Sequence, residues 1–194
     1  MVPPVIPGGL TTITLILVLF SLWHASYALG ARLTAALFVI TAVTSWVFEE
    51  VGVGTGLVYG AYRYTGALGP GLGGVPLLIP IAWFMMIYAS YMVANLIVDR
   101  RVVGSPGSRA HLLGLAFVGA LVMTAWDLLA DPILSAPPYR AWVWEHGGLF
   151  FGIPLQNFVG WLATAFIVFV LYRSLERHWP VRSAAEPAAS APAA

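Results

Sequence analysis

The segment from Pro80 to Val98 decides the fold. Its sequence is PIAWFMMIYASYMVANLIV, and it contains no Asp, Glu, Lys or Arg. A helix needs about 20 apolar residues to cross the hydrocarbon core of a bilayer. Pro80 stands where such a helix can begin, because the first N–H groups of a helix have no intrahelical partner. An uncharged run of this length predicts a membrane span.

Four other apolar stretches accompany this one. We expect their spans at Leu10–Leu29, Leu33–Val53, Ala110–Leu129 and approximately Pro154–Tyr172. The fold class predicted is therefore all-α, a polytopic transmembrane helical bundle of about five spans, with a Gly/Tyr-rich and a Trp-rich outer loop. Residues 1–182 are predicted as a single transmembrane domain. Residues 183–194, rich in Ala, Pro and Ser, are predicted as a disordered tail.

The composition supports a membrane protein and excludes several other classes. Hydrophobic residues make up 60% of the 194-residue chain and charged residues only 9%, whereas soluble domains carry about 25% charged residues. The net charge of +1 gives no basic face, so nucleic acid is not an expected partner. The absence of Cys excludes disulfides, Cys-ligated zinc and Fe–S clusters.

The arginines predict the orientation in the membrane. With the N-terminus outside, the inner side holds seven of the nine arginines, and the outer side holds only Arg63 and Arg140. The inner seven are Arg32, Arg100, Arg101, Arg109, Arg173, Arg177 and Arg182. By the positive-inside rule, we expect a multi-pass protein of the cell membrane with its N-terminus outside and its C-terminus cytoplasmic, if there are five spans.

The acidic residues gather mostly at the predicted outer ends of the spans. Glu49 and Glu50 end the second span. Adjacent residues on a helix point about 100° apart, so at most one of the two faces a given neighbour. Ionisable residues within a membrane are functional candidates by default. The alternative is a helix end that simply reaches interfacial water.

Asp127 and Asp131 are four residues apart and would share one face of a helix. Two carboxylates this close repel, so one is expected to stay protonated and act as a general acid, with the other as a base. The alternative is that Asp131-Pro132 merely ends the helix, because the residue before Pro disfavours helical geometry. Glu145 and His146 could hold a metal or relay a proton, but a solvated loop is the favoured interpretation.

Two polar stripes have a structural interpretation as well as a functional one. Tyr88, Tyr91 and Asn95 lie on one face of the third span, and Asn157 and Trp161 lie on one face of the last. Such stripes usually join helices by hydrogen bonds. Asn157 is the exception to test, because it lies near the outer end. The eight Trp residues fit interfacial belts or a slot for a long, flat apolar ligand, whose cation they could stabilise.

A series of ordered motifs carries a resemblance to a known family. The series includes EEVGVGTG at 49–56, YGAYRY at 59–64, LGP at 68–70, AWFMMIY at 82–88, AWDLLADP at 125–132, WVW at 142–144 and FGIP at 151–154. It ends with Asn157-Phe158 and Gly160-Trp161. Over residues 46–161, the chain resembles the integral-membrane carotenoid biosynthesis proteins, a family that includes carotenoid 1,2-hydratases.

The resemblance implies an enzyme that hydrates the terminal C=C at an acyclic carotene end. Asp127 would be the acid or its partner, with Asp131 in support. Glu49 would orient or deprotonate the water, with Glu50 as a further catalytic candidate. The substrate-binding candidates are Trp46, Tyr62, Tyr64, Trp83, Tyr88, Trp126, Trp142, Asn157 and Trp161. No metal and no cofactor are expected, because adding water changes no oxidation state. The expected partners are a long apolar carotenoid and membrane lipid, and association with other carotenoid-pathway enzymes is left open.

Several alternatives remain open from the sequence. A carotenoid end-group cyclase would make the same cation but let an internal alkene capture it. A membrane carotenoid-binding protein would need no catalytic residues. A metal-dependent reaction through Glu49, Asp127, Asp131 and His146 is a weaker alternative. A transporter is disfavoured, because there is no inverted repeat and the polar residues gather at one interface.

Overall fold

A computed structural model describes residues 8–181 of the chain. The predicted tail at 183–194 lies outside these residues, as does Arg182. Five helices are long and apolar enough to span a membrane, which confirms the predicted polytopic helical bundle. They are α1 (Gly9–Leu29), α2 (Ala31–Thr55), α3 (Leu78–Asp99), α4 (Arg109–Ser135) and α5 (Leu155–His178).

Four short strands lie in the connections between helices. They are β1 (Tyr62–Tyr64), β2 (Gly71–Leu72), β3 (Val75–Pro76) and β4 (Trp142–Trp144). Strands β2 and β3 form a local antiparallel hairpin before α3. Strand β1 instead pairs with β4, antiparallel, across two loops that are far apart in the chain. The loops predicted from the sequence therefore contain ordered backbone at the end of the bundle where α2 and α4 finish.

Helix α3 packs mainly on α1, α2 and α4, and α5 packs mainly on α2 and α4. Side chains also join α3 to α5, as where the ring of Trp83 stacks on that of Trp161. The core between them is apolar and aromatic, with Phe84, Ile87 and Phe169 fully buried. Helices α4 and α5 approach closely at Gly119, where a Cβ atom would lie 2.7 Å from the ring of Phe169.

One helix boundary differs from the sequence-based alternatives in a way that matters for function. Helix α4 continues through Pro132 to Ser135, so the alternative that Asp131-Pro132 ends the helix is wrong. The Ser135 hydroxyl donates to the Asp131 carbonyl oxygen at 2.8 Å, inside this last turn. Asp131 consequently lies on the same buried face as Asp127. Two predicted helix starts also differ: Pro154 caps α5 from outside instead of being its first residue, and Pro80 is the third residue of α3.

Arg173 and Glu176 lie beyond Tyr172, the predicted end of the last span, but α5 continues to His178. Both side chains are 0% exposed within the bundle. The Arg173 guanidinium donates to Glu176 at 2.8 Å and to the Asn95 side chain at 2.7 Å. It also stacks 3.9 Å above the ring of Tyr91, whose hydroxyl donates to Glu176 at 2.6 Å. The polar stripe on α3 thus joins α3 to α5, as the favoured interpretation predicted.

Candidate active site

A small sheet roofs the end of the bundle where α2 and α4 finish. In the β1–β4 pair, Tyr62 lies opposite Trp144 and Tyr64 lies opposite Trp142. Successive side chains of a strand point to opposite faces, so these four aromatic residues share one face. Tyr62 packs on Trp144 with 5.2 Å between ring centroids, and Tyr64 on Trp142 with 6.2 Å. We call these four residues the aromatic roof. Their shared face carries two hydroxyl and two indole N–H donors.

Glu49 accepts hydrogen bonds from one strand of the roof. It lies on α2 and is 4% exposed. Its Oε2 accepts from the hydroxyls of Tyr62 at 2.5 Å and Tyr64 at 2.7 Å, and its Oε1 accepts from the Trp83 indole N–H at 3.2 Å. Three donors around one buried carboxylate satisfy most of its acceptor capacity. A carboxylate can therefore be held in this apolar bundle.

Asp127 and Asp131 form a pair held by a single amide. Each is 1% exposed. The Asn157 amide nitrogen, from α5, donates to Oδ2 of Asp127 at 2.7 Å and to Oδ2 of Asp131 at 2.8 Å. The second oxygen of Asp131 accepts from the indoles of Trp142 at 2.7 Å and Trp144 at 3.4 Å. The other strand of the roof thus reaches Asp131, while Asp127 receives only the Asn157 donor.

A cavity of about 30 Å³ lies between these groups. A space of this size with polar walls can hold a water molecule. Its polar lining comes from carboxylate, amide and phenol groups, and Trp161 adds an aromatic face. The lining residues are Glu49, Tyr59, Tyr62, Tyr64, Asp131, Trp142, Trp144, Asn157 and Trp161. The cavity therefore joins the carboxylates of α2 and α4 through a space that fits water.

Tyr59 fills the space between two glycines at the edge of this cavity. Its hydroxyl lies 3.0 Å from the Thr164 hydroxyl. A Cβ atom on Gly52 would lie 2.8 Å from the Tyr59 ring, and one on Gly160 would lie 2.5 Å from both that ring and the Val58 carbonyl oxygen. Only glycine at these two positions lets the ring pack against α2 and α5 at once.

We expect Gly160→Ala to destabilise the protein by about 1–3 kcal/mol, the usual cost of forcing extra volume into a packed core. The Val58 carbonyl is backbone and cannot move aside as a side chain can. Thermal unfolding of the purified protein in detergent measures the effect. Gly114→Ala on α4 is the matched control, because nothing lies within 4 Å of its Cβ position. A Gly160→Ala variant as stable as the Gly114→Ala variant would contradict the packing described.

The roof tyrosines are held in their protonated form. Burial, and then the nearby Glu49 charge, raise the pKa of Tyr62 above its usual range. The same two causes, in the same order, raise the pKa of Tyr64. Both hydroxyls therefore remain donors to Glu49 at alkaline pH.

The protons retained by Tyr62 and Tyr64 make the stability of the folded protein depend on pH above about 10. Tyrosine in an unfolded chain titrates near pH 10, while Tyr62 and Tyr64 in the folded protein keep their protons. Above about pH 10 the folded state binds more protons than the unfolded state, so stability falls as pH rises. Each buried tyrosine contributes up to about 1.4 kcal/mol per pH unit to this slope. We expect Tyr62→Phe/Tyr64→Phe to lose stability less steeply in denaturation series above pH 10, and equal slopes would count against this assignment.

Glu50 and Trp46 do not line the cavity. They contact the β2–β3 hairpin instead. The Glu50 carboxylate accepts from the Gly74 backbone N–H at 2.9 Å. The Trp46 indole donates to the Leu72 carbonyl oxygen at 3.2 Å. Both contacts fasten the β2–β3 hairpin to α2. The structure therefore separates Glu49, which faces the cavity, from its sequence neighbour.

The remaining predicted residues fall into different places. Trp83 stacks on Trp161 with 4.4 Å between ring centroids. The Tyr88 hydroxyl lies 2.6 Å from a ring nitrogen of His24 and joins α3 to α1. Trp126 is 47% exposed and lines an apolar groove of about 570 Å³ between α1, α3 and α4. His146 is exposed in the loop after β4, and residues 8–181 contain no group of three acidic or His side chains arranged for a metal ion.

Comparison with known protein sequences places this chain in a family. The sequence model of the family described as "Carotenoid biosynthesis protein" matches residues 8–193. The chain belongs to this family. It is also 31% identical, over 147 residues, to bisanhydrobacterioruberin hydratase of Haloarcula japonica, a match that covers 75% of the chain and 47% of the relative. The chain therefore spans about half the length of this curated relative. No solved structure gives a significant match.

In this carotenoid biosynthesis protein, sequence reasoning missed two residues that line the cavity, Tyr59 and Trp144. Trp144 had a detectable signal, because the alternation WVW at 142–144 places it on the same face as the predicted Trp142 if the segment is a strand. Tyr59 had a weaker signal in its small neighbours, since Gly52 and Gly160 make room for its ring. Neither signal identifies which carboxylate these residues meet.

Proposed function

We propose that this carotenoid biosynthesis protein adds water across the terminal C=C bond at an acyclic carotenoid end. The observation that carries the proposal is the water-sized cavity between buried carboxylates from two helices. Glu49 and Asp131 line it, and Asn157 ties Asp127 to Asp131. The 31% identity to a protein named as a hydratase supports the same reaction class.

The hydrogen bonds support a division of roles. Glu49 and Asp131 each accept three side-chain hydrogen bonds, which favours the ionised form, whereas Asp127 accepts only one. In our proposal the aspartate pair holds one proton, carried mainly by Asp127. Transfer of this proton to the less substituted alkene carbon forms a C–H bond and a tertiary cation. The oxygen of a cavity water then forms the C–O bond, and its released proton passes to Glu49.

The catalytic groups return to their starting state through the same cavity. After water addition, Glu49 carries the proton that the aspartate pair has lost. A new cavity water can pass this proton back to the pair, so that the net reaction is addition of one water. Trp144 and Trp161 also line the cavity, and aromatic faces stabilise a desolvated cation by about 2 kcal/mol or more. The arrangement thus supplies an acid, a base and a cation-stabilising wall.

Substrate access and orientation complete the proposal. The apolar groove between α1, α3 and α4 opens to the lipid side of the bundle and includes Trp126, the residue before Asp127. A polyene in the bilayer would meet this groove first. The positive-inside rule supports an orientation with the N-terminus outside, which puts the aromatic roof at the outer face of the membrane.

The polar lining of the cavity favours hydration over cyclisation. A cyclase must exclude water from the same cation until an internal alkene reaches it. Here two carboxylates, an amide and three phenols surround the cavity, so water is well bound there. An end-group cyclase remains the alternative that product mass distinguishes, because cyclisation is an isomerisation.

Pigment analysis tests the proposal. The chain is expressed in a bacterium that accumulates lycopene, and in one supplied with bisanhydrobacterioruberin, the compound in the relative's name. Chromatography and mass spectrometry should show a more polar pigment heavier by one water, absent from cells with empty vector. An isomeric pigment would select the cyclase. Both carotenoids recovered unchanged, with the chain shown in the membrane, would contradict the proposal.

A further inference from the structure

A second large groove lies at the opposite end of the bundle from the aromatic roof. Its volume is about 530 Å³, and it runs between the first turns of α4 and the last turns of α5. Leu112, Leu113 and Val170 form apolar walls, and Arg109 and Arg177 stand at its rim. The groove shares no residue with the carboxylate cavity, so its ligand is independent of the proposed hydration.

Within residues 8–181, the two arginines at the rim have no carboxylate partner. In the described part of the chain, a ring nitrogen of His111 lies 2.8 Å from the Asp99 carboxylate, and Arg173 pairs with Glu176. Both acidic residues that the structure describes near this end, Asp99 and Glu176, thus have other partners, and Arg109 and Arg177 are exposed. Two guanidinium groups beside one groove, neither paired with a carboxylate of residues 8–181, make an electropositive site.

The two rim arginines lie at helix ends of opposite polarity. Arg109 is the first residue of α4, where the helix dipole is positive and disfavours a cation. Arg177 lies in the last turn of α5, where the dipole favours a cation. The charge of Arg109 is therefore not stabilised by its own helix. An anion in the groove would be stabilised by both the guanidinium and the helix N-terminus.

His178 adds a third polar group at the rim. One of its ring nitrogens lies 2.8 Å from the Ser174 carbonyl oxygen. A carbonyl oxygen can only accept, so this nitrogen is the donor, and in the neutral ring the other nitrogen is an acceptor that suits a head-group hydroxyl. The rim is thus cationic and polar, while the walls a turn deeper are apolar.

We propose that this groove binds an anionic phospholipid of the adjacent leaflet. The lipid phosphate would lie between Arg109 and Arg177, since guanidinium groups bind phosphate oxygens in a bidentate manner. An acyl chain would follow Leu113 and Val170 toward the centre of the membrane. A free phosphate would use the rim but leave the apolar walls uncovered, so the combination of rim and walls selects a lipid. Basic pockets between membrane helices bind anionic head groups in this way.

Lipid titration of the purified full chain in detergent tests this assignment. Phosphatidylglycerol and phosphatidylcholine with the same acyl chains are added separately, and thermal unfolding is followed. Phosphatidylglycerol should raise the unfolding temperature and phosphatidylcholine should not. In Arg109→Gln/Arg177→Gln the apparent affinity for phosphatidylglycerol should fall roughly 30-fold, because each arginine contributes about fivefold.

The matched control removes the same charge from the same end. Arg100→Gln/Arg101→Gln alters two exposed arginines that do not line the groove, and this variant should keep the phosphatidylglycerol effect. The assignment is overturned if both double variants lose the effect equally or neither loses it. It is also overturned if phosphatidylcholine gives the same shift, or if inorganic phosphate alone reproduces the shift, which would indicate an anion site without a lipid.

Discussion

Asp127→Asn should reduce formation of the hydrated pigment by at least about 100-fold. General acid–base groups typically contribute 10²–10⁴-fold to a rate, and in our proposal Asp127 carries the proton that starts the reaction. Asn has nearly the same shape but cannot deliver that proton. The hydrogen bond from Asn157 can be retained by the new amide oxygen, so the fold around the pair is expected to persist. Pigment mass spectrometry, normalised to the amount of protein in the membrane, measures the effect.

Glu145→Gln is the matched control for this substitution. Glu145 is an exposed acid at the same end of the bundle, directly after β4. It should leave pigment formation unchanged, because its side chain does not line the cavity. Full activity in Asp127→Asn would remove Asp127 from the mechanism. Equal loss in both variants would show that general disturbance of the roof end of the bundle is responsible.

Arg173→Met should be the most destabilising single substitution in the half of the bundle away from the roof. It would leave Glu176 as a buried charge with no cation beside it, while also removing the partner of Asn95. Breaking a buried pair by removing one member costs about 3–5 kcal/mol. For a chain of this size we expect the unfolding temperature in detergent to fall by about 10 °C.

The double variant Arg173→Met/Glu176→Met separates the ion pair from simple packing. Removing both charges avoids the uncompensated carboxylate, and replacing a buried pair by apolar residues is often neutral or stabilising. The double variant should therefore unfold at a higher temperature than Arg173→Met alone. If the double variant loses as much stability as Arg173→Met and Glu176→Met lose when their separate losses are added, the pair does not stabilise the protein through mutual compensation.

The membrane helices were predictable because they follow from hydropathy, which is a local property. The predicted start of the first span is one residue from that of α1, and α4 differs mainly through its continuation past Pro132. A proline tolerated inside a helix depends on packing around it, which no local pattern records. The choice between Glu49 and Glu50 had a partial signal. Thr41, Ser45 and Glu49 follow one another at four-residue spacing and lie on one buried face of α2.

The aromatic roof and the buried Arg173–Glu176 ion pair could not be predicted from local hydropathy. Strands β1 and β4 have three residues each, and their pairing across separate loops depends on the arrangement of the helices. The burial of Arg173 could not be predicted, because charged residues at the end of an apolar stretch usually reach water. Here Tyr91 and Asn95 on another helix supply compensation, which becomes visible only in three dimensions.

The pairing of β1 with β4 also sets an order for assembly during synthesis. Glu49 and its two tyrosine donors are made with the first helices, but the strand that aligns them emerges only after α4. Asn157, which holds the aspartate pair, comes later still. At about 5–20 residues per second, the ribosome makes Asn157 on the order of ten seconds after Glu49. A newborn chain must therefore keep Glu49 at the water interface, and the polar centre closes as the last helix joins the bundle.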